Sequence, residues 1–430
     1  MASPPPSARS VALDLLEAVL GERRPLDDAF AGHPGIPVLA PRDRAFARLL
    51  ATATLRRLGE IDALIARRLA RPLPAKARDV RNILRLGVCQ LALLETPPHA
   101  AVDTMVALAA ARAPPPFKGL VNAVLRRLAG ESPKLAGSRD AARLNTPDWL
   151  WNRWRATYGD ATAHAIASAH LGEPPLDITV KSDAPSWAKR LGATVVPTGT
   201  LRRPIGGLVS ELAGYSDGAW WVQDAAAALP TRLLGEVAGR TVLDLCAAPG
   251  GKTAQLVAAG ARVIAVDRGP RMALLKENLA RLQLGAELIA ADVAEWRPAE
   301  RVPLIFLDAP CTATGTIRRH PDIARLKNAV DIPRMAAIQD RLLAAAADML
   351  TPGGTLVYCA CSLEPEEGPE RIDALLARDR RLVRSAVEPH EVSGLAELVS
   401  KSGDLRTLPC HLAKLGGLDG FYAARLRLTG

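Results

Sequence analysis

Five short apolar runs, each followed by a stretch with helical periodicity, constrain this chain more than any other feature. They fall at 241–245, 262–266, 287–290, 303–307 and 355–358, with helical patterns such as 252–259 and 335–349 between them. A strand that is apolar on both faces must be covered on both sides. Intervening helices supply that cover when the strands run parallel. The pattern predicts a doubly wound parallel α/β sheet, with 421–428 as a final strand. In such sheets ligands bind outside the carboxyl ends of the strands, so residues just past each run are the candidates for function.

The first part of the chain reads differently. From Ala8 to about Gly130 apolar residues recur at three and four, as in Val11, Leu15, Leu16 and Val19, or Leu49, Leu55, Leu58, Ile61 and Leu64. Proline and glycine fall between the periodic stretches, which predicts a compact all-α domain of five or more helices. The polar stretch 130–139 is expected to be a linker. From Asn145 a mixed segment opens with Trp149, Trp151, Trp154 and Tyr158, continues through a strand at 176–180 followed by Lys181, and closes near Trp220 and Trp221. These aromatics either pack the core of a small α+β unit or, interleaved with Lys and Arg, stack on unpaired bases. A chain of 430 residues, 49% hydrophobic, has length and apolar content for two or three such cores. The expected division is 6–135, all-α; 145–224, α+β; and 225–430, α/β.

The net charge of +10 favours an anionic partner, nucleic acid first, or is a basic surface without a role. The six cysteines form no disulfide framework. The first residues carry no apolar signal core, and no apolar run reaches membrane-spanning length. A cytoplasmic location, with free thiols and no membrane association, is the expectation.

Two of those thiols stand at strand ends: Cys311 in Asp308-Ala-Pro-Cys311, and Cys361 in Cys359-Ala-Cys361-Ser, followed by Glu364-Pro-Glu-Glu367. Two thiols at the edge where ligands bind, one beside Asp308, suggest a nucleophile and a helper in covalent catalysis. Cys359 and Cys361 lack companions at zinc-like spacing, so no metal is expected. Cys359 is read as packing.

The run Val242-Leu-Asp-Leu-Cys246-Ala-Ala-Pro-Gly250-Gly251-Lys252-Thr253 is strand, glycine-bearing turn and helix start. Glycine lets a ligand approach the backbone, and the helix start offers N–H groups. A phosphate-binding loop would need glycine where Cys246 stands, and the dinucleotide fingerprint is missing, which disfavours ATP and NAD. Asp267 ends the next strand, roughly twenty residues on, as suits the hydroxyls of a ribose; the alternative is a helix cap. Asp292, past the third strand, would reach an adenine edge. A nucleoside without a required diphosphate fits, and S-adenosylmethionine is the natural candidate.

These motifs, together with Thr314-Gly315, Arg318-Arg319-His320-Pro-Asp322 and Pro365-Glu-Glu367, resemble the RNA cytosine-5 methyltransferases. Within them the similarity is to the bacterial branch that modifies small-subunit ribosomal RNA and carries an N-terminal NusB-like domain. Here Ile83-Leu-Arg-Leu-Gly87, Pro97-Pro-His-Ala-Ala-Val102 and Lys118-Gly-Leu-Val-Asn-Ala-Val-Leu-Arg-Arg127 look like that domain. The resemblance implies an all-α NusB-like RNA-binding domain, an α+β segment and a Rossmann-like class I methyltransferase domain. It implies that Cys361 attacks the base, that Cys311 assists product release, and that Asp308 positions the pyrimidine and stabilises its charge. It assigns the cofactor to Cys246, Ala247, Ala248, Pro249, Gly250, Gly251, Lys252, Asp267, Asp292 and Asp308, with a subsidiary role for Lys252. The implied substrate is 16S rRNA, free or in an assembly intermediate, bound by a monomer.

Alternatives stand beside it: a transfer RNA or other RNA substrate, DNA-type chemistry with Cys311 as nucleophile, or a non-catalytic RNA-binding factor. Arg318 and Arg319 are candidates for backbone phosphate, and His320 for RNA or for capping its loop. Relatives often carry Arg-Val-Asn where this chain has Thr179-Val-Lys181, which puts an RNA contact there in doubt. The Pro-Glu-Glu-Asn pattern ends in Gly368, and Asp-Gly-Phe-Phe becomes Asp419-Gly-Phe-Tyr422.

Overall fold

The computed structural model describes residues 6–131 and 140–429, so most of the expected linker, 132–139, lies outside the described residues. The chain forms two compact units, one running through Gly172 with Ile317–Asn328 added, the other made of Glu173–Thr316 and Ala329–Gly430.

The first unit is helical: α1 (Ala8–Leu20), α2 (Leu26–Ala31), α3 (Pro41–Arg56), α4 (Leu58–Ala66), α5 (Arg78–Ala92), α6 (Pro98–Arg112), α7 (Pro116–Gly130), α8 (Ala141–Asn145) and α9 (Asp148–Ala169). Local sequence sets the starts. Ser7 and Ser10 close a capping box on α1, and proline opens α3, α6 and α7, where its missing N–H costs no helical bond. One core takes Val11, Leu15, Leu16, Leu50, Leu55, Ile61, Ile83, Leu84, Leu86, Val121 and Leu125, each fully or almost fully buried. Leu49, expected in that stripe, is exposed and Leu50 is buried instead. The Trp149–Tyr158 cluster lies on α9 in this unit, and Trp154 is buried edge-on to His170 at 5.4 Å between ring centroids.

The second unit holds two sheets. The smaller comprises β1 (Leu176–Val180), β2 (Thr194–Val195), β3 (Leu201–Arg203) and β4 (Trp220–Val222) in the order β2-β3-β1-β4, with α10 (Ala184–Leu191) beside them. Trp220 packs this sheet's core with Ile178 and Leu201. Trp221 is buried in the neighbouring core, so neither indole is presented for base stacking. Lys181 is also engaged, its ammonium donating to the Leu282 carbonyl.

The larger sheet contains β5 (Thr241–Leu245), β6 (Arg262–Asp267), β7 (Glu287–Ala290), β8 (Val302–Asp308), β9 (Leu350–Ala360), β10 (Leu382–Arg384), β11 (Leu405–Thr407) and β12 (Phe421–Leu428). Helices α11 (Gly251–Ala258), α12 (Gly269–Arg281), α14 (Asp331–Asp348) and α15 (Pro369–Arg378) connect them. The short α13 (Ile323–Leu326), between β8 and α14, belongs to the helical unit. Strand order is β10-β12-β9-β8-β5-β6-β7, with β11 on β12. Strands β5 to β9 pair in parallel, as the apolar runs predict, whereas β12 pairs antiparallel with β9 and so completes a mixed sheet.

Period-two alternation divides β5, β8 and β9 between two cores. Val242, Leu304, Phe306, Val357 and Cys359 face one; Leu243, Leu245, Ile305, Leu307, Leu356 and Tyr358 face the other. From β5 the chain winds outward through β6 and β7, then returns to place β8 on the other side of β5. The crevice where the winding reverses lies past the ends of β5 and β8.

Candidate active site

The loop after β5 is shaped for close approach. Cys246 has φ +61° and Gly250 φ +103°, and a Cβ on Gly250 would come within 2.5 Å of Leu275. Glycine there is a steric requirement. Asp267, at the end of β6, is buried and accepts from the N–H groups of Ala248 (2.8 Å) and Arg268 (2.6 Å). It therefore ties the loop down, a structural task beyond the expected ribose contact or helix cap. Asp292, past β7, is part-exposed, accepts from the Ala294 N–H at 2.9 Å and pairs with Arg268 at 3.0 Å. The backbone hydrogen bond first, then the arginine, hold its carboxyl below the usual range. A glycine turn at a helix start, with carboxylates at the next two strand ends, fits a nucleoside cofactor. Cys246–Lys252, Asp267 and Asp292 stand around that turn and those strand ends.

Beneath the loop lies Asp244, which the sequence reading passed over. It is fully buried in β5 and accepts the Thr253 hydroxyl at 2.6 Å, while its other oxygen has no partner. Burial pushes its carboxyl up to about 7. The signal was available, since a carboxylate interrupts an otherwise apolar strand.

Past β8, Asp308 is held on both oxygens. Lys252 donates to one at 2.7 Å and the Cys359 thiol to the other at 3.2 Å. Burial acts to lower the Lys252 ammonium, but Asp308 together with Cys359 and Cys361 outweighs it and the net shift is upward. The ammonium also lies 5.1 Å from the centroid of the Phe421 ring. Lys252 thus pairs with Asp308 as well as standing in the loop after β5. Cys359 is more than packing, because its thiol orients Asp308.

The two strand-end thiols meet: Cys311 Sγ and Cys361 Sγ are 3.4 Å apart. The hydrogen bond with Cys361 and then burial push the Cys311 thiol well above its usual range. The loops that carry them interlock. Gly315 donates its N–H to the Cys361 carbonyl at 3.0 Å, and the Gly420 N–H reaches the Gly315 carbonyl at 2.8 Å. A Cβ on Gly315 would sit 1.9 Å from the Gly420 oxygen.

The basic run after this loop is placed differently from expectation. Arg318 is buried in the helical unit, where Arg56 donates to its carbonyl. A buried guanidinium is not offered to backbone phosphate, which corrects the phosphate role expected for Arg318. His320 pairs with Asp27 at 3.4 Å within the same unit. Among the described residues no cluster of three or more His, Cys, Asp or Glu suits a metal ion, and no helix is long and apolar enough to cross a membrane.

Comparison with known proteins bears on the same regions. Residues 231–427 match the family described as 16S rRNA methyltransferase RsmB/F, and residues 6–130 match the NusB family. Ribosomal RNA small subunit methyltransferase B of Pseudomonas putida is 35% identical over 97% of this chain and 98% of its own length. The protein of the same name from Vibrio cholerae is 35% identical over 81% of this chain and 85% of its own. The crystal structure of PH0851 covers 99% of both chains at TM-score 0.75 and 21% identity, a likeness of fold. A methyltransferase homologue from Pyrococcus horikoshii covers 64% of this chain and 93% of its own at TM-score 0.53 and 26% identity. The chain therefore belongs to the RsmB/F family of S-adenosylmethionine-dependent methyltransferases, with a NusB-family region at its N-terminal end.

Proposed function

We propose that this protein methylates carbon 5 of a cytosine in 16S rRNA through a covalent adduct between Cys361 and carbon 6 of the base. The observation that carries the reading is the pair of thiols 3.4 Å apart at the switch-point edge, beside an Asp308 held by Lys252 and Cys359. Cytosine carbon 5 is a weak nucleophile. Adding a thiolate at carbon 6 gives the ring enamine character and makes carbon 5 reactive. S-adenosylmethionine supplies the methyl group.

In this reading Cys361 forms the S–C6 bond, and Asp308 presents its carboxyl to the N3 and amino edge of the ring, where charge develops on addition. After transfer the carbon 5 proton passes to water and the S–C6 bond breaks, restoring the aromatic ring and the Cys361 thiolate. Cys311 assists this release. The Cys361-Ser motif at the later strand end favours Cys361 over Cys311 as nucleophile. A cytosine in a helix must first be unstacked into the site. We assign RNA affinity to the helical region 6–135 and the segment 145–224, ahead of the catalytic region 225–430, in a cytoplasmic monomer. The substrate is 16S rRNA, free or in an assembly intermediate, with its target base accessible. The net charge of +10 supports a polyanionic partner.

The test uses 16S rRNA, radiolabelled S-adenosylmethionine and two variants. Cys361→Ala is expected to abolish 5-methylcytosine and covalent capture, whereas Cys311→Ala accumulates a denaturation-resistant RNA adduct. Capture that survives loss of Cys361 but not of Cys311 would restore DNA-type chemistry. Absence of S-adenosylmethionine binding to folded protein would favour the pure RNA-binding factor.

A further inference from the structure

One buried carboxylate connects the two thiol loops and has no part in the chemistry above. Glu367 ends the short turn Pro365–Glu367 and is fully buried. One of its oxygens accepts the Thr312 N–H at 2.8 Å and the Gln339 amide at 3.4 Å. The other accepts the Ser362 hydroxyl at 2.5 Å and the Thr312 hydroxyl. Thr312 follows Cys311 directly, and Ser362 follows Cys361 directly. Four donors fill the acceptor positions of an ionised carboxylate. The Glu367 carbonyl accepts the Tyr358 hydroxyl at 2.7 Å, which fixes the turn to β9.

The two loops do not depend on Glu367 equally. The bond from the Gly315 N–H to the Cys361 carbonyl joins the two loops; beyond it Arg406 holds the Ser362 carbonyl at 2.6 Å, and Gln339 holds the Pro310 carbonyl at 2.9 Å. Thr312 sends both its N–H and its hydroxyl to Glu367, with a 3.4 Å contact to the Ser362 hydroxyl besides. Removing the carboxylate therefore frees the Cys311 side first. We propose that Glu367 is a positioning residue that keeps Cys311 in register with Cys361, and so governs release of the methylated base more than attack on it. This rests on the proposed cytosine chemistry. The carboxylate also contributes, behind Cys361 and burial, to holding the Cys311 thiol protonated.

The experiment compares Glu367→Gln and Thr312→Val with the unaltered enzyme on 16S rRNA. It reads first-turnover methylation, steady-state kcat, KM for RNA and the denaturation-resistant adduct. Glu367→Gln keeps the shape and removes the charge; Thr312→Val keeps both Glu367 and the side-chain volume. For each, the expected result is a kcat lowered about tenfold or more, with first turnover and KM within about threefold and a larger adduct fraction. S-adenosylmethionine titration and thermal unfolding establish that the variants are folded, and Thr312→Val decides if Glu367→Gln is not. Turnover of the folded variants within about twofold of the unaltered enzyme overturns the inference. So does loss of first turnover and adduct together, which would place Glu367 behind attack. An unaltered enzyme that gives neither adduct nor 5-methylcytosine overturns the proposed function itself, and the inference with it.

Discussion

Replacing Lys252 by methionine tests whether Asp308 works because it is held. Methionine keeps most of the methylene volume and removes the ammonium that sits 2.7 Å from Asp308. Taking one partner from a fully buried ion pair costs about 3–5 kcal/mol. Here the Lys252 side chain is 12% exposed and Asp308 28%, so water screens part of the loss and about 2–3 kcal/mol is the better figure. If that energy serves to orient Asp308 in the transition state, the rate falls about 30- to 150-fold. Initial rates of 5-methylcytosine formation at saturating S-adenosylmethionine measure it. Cofactor affinity should change by less than about threefold, because the ammonium is engaged by Asp308. A double-mutant cycle with Asp308→Asn isolates the pair, and a coupling above about 1 kcal/mol is expected. Effects that add within about 0.5 kcal/mol would show that the two residues act independently and refute the reasoning.

Two further predictions concern stability. Asp244 keeps its proton in the folded state up to about pH 7 but releases it near pH 4 when unfolded, so it contributes a stability that falls across that window and is flat above it. Asp244→Asn should remove on the order of 2–4 kcal/mol of that dependence, seen as a smaller difference between urea unfolding at pH 5 and pH 8. An unchanged difference would mean the carboxyl is ionised in the fold. Arg202 forms a two-pronged pair with Asp177 at 2.7 and 2.6 Å, both buried, and donates to the carbonyls of Leu415 and Gly417 at 2.8 Å. Arg202→Met leaves the buried Asp177 carboxylate without its cation and should cost about 3–5 kcal/mol in urea unfolding; a loss under about 1 kcal/mol would contradict that account.

Much of the site was legible in the residues. The ends of the apolar runs locate Cys246, Asp267, Asp292, Asp308, Cys311 and Cys361 because a parallel sheet presents strand ends to one edge. Leu49 shows where periodicity fails, since one residue along a helix turns the side chain by roughly a quarter of the circumference. The Trp149–Tyr158 cluster precedes a predicted strand in the sequence, yet its helix belongs to the helical unit. Arg318 reads as surface charge, because sequence does not reveal which arginines fold inward.

The sequence by itself determined the class of fold, the glycine turn and the carboxylates and thiols at the strand ends. Those follow from short-range rules: apolar runs, helix periods and the spacing of punctuating residues. Tertiary structure alone decided which of these groups touch. It placed Lys252 on Asp308, 56 positions further along the chain, brought Cys359 to the same carboxyl, and drew Glu367 under both thiol loops. Strand order in a sheet is set by packing over the whole domain, so side chains far apart in sequence become neighbours only when the sheet closes its cores.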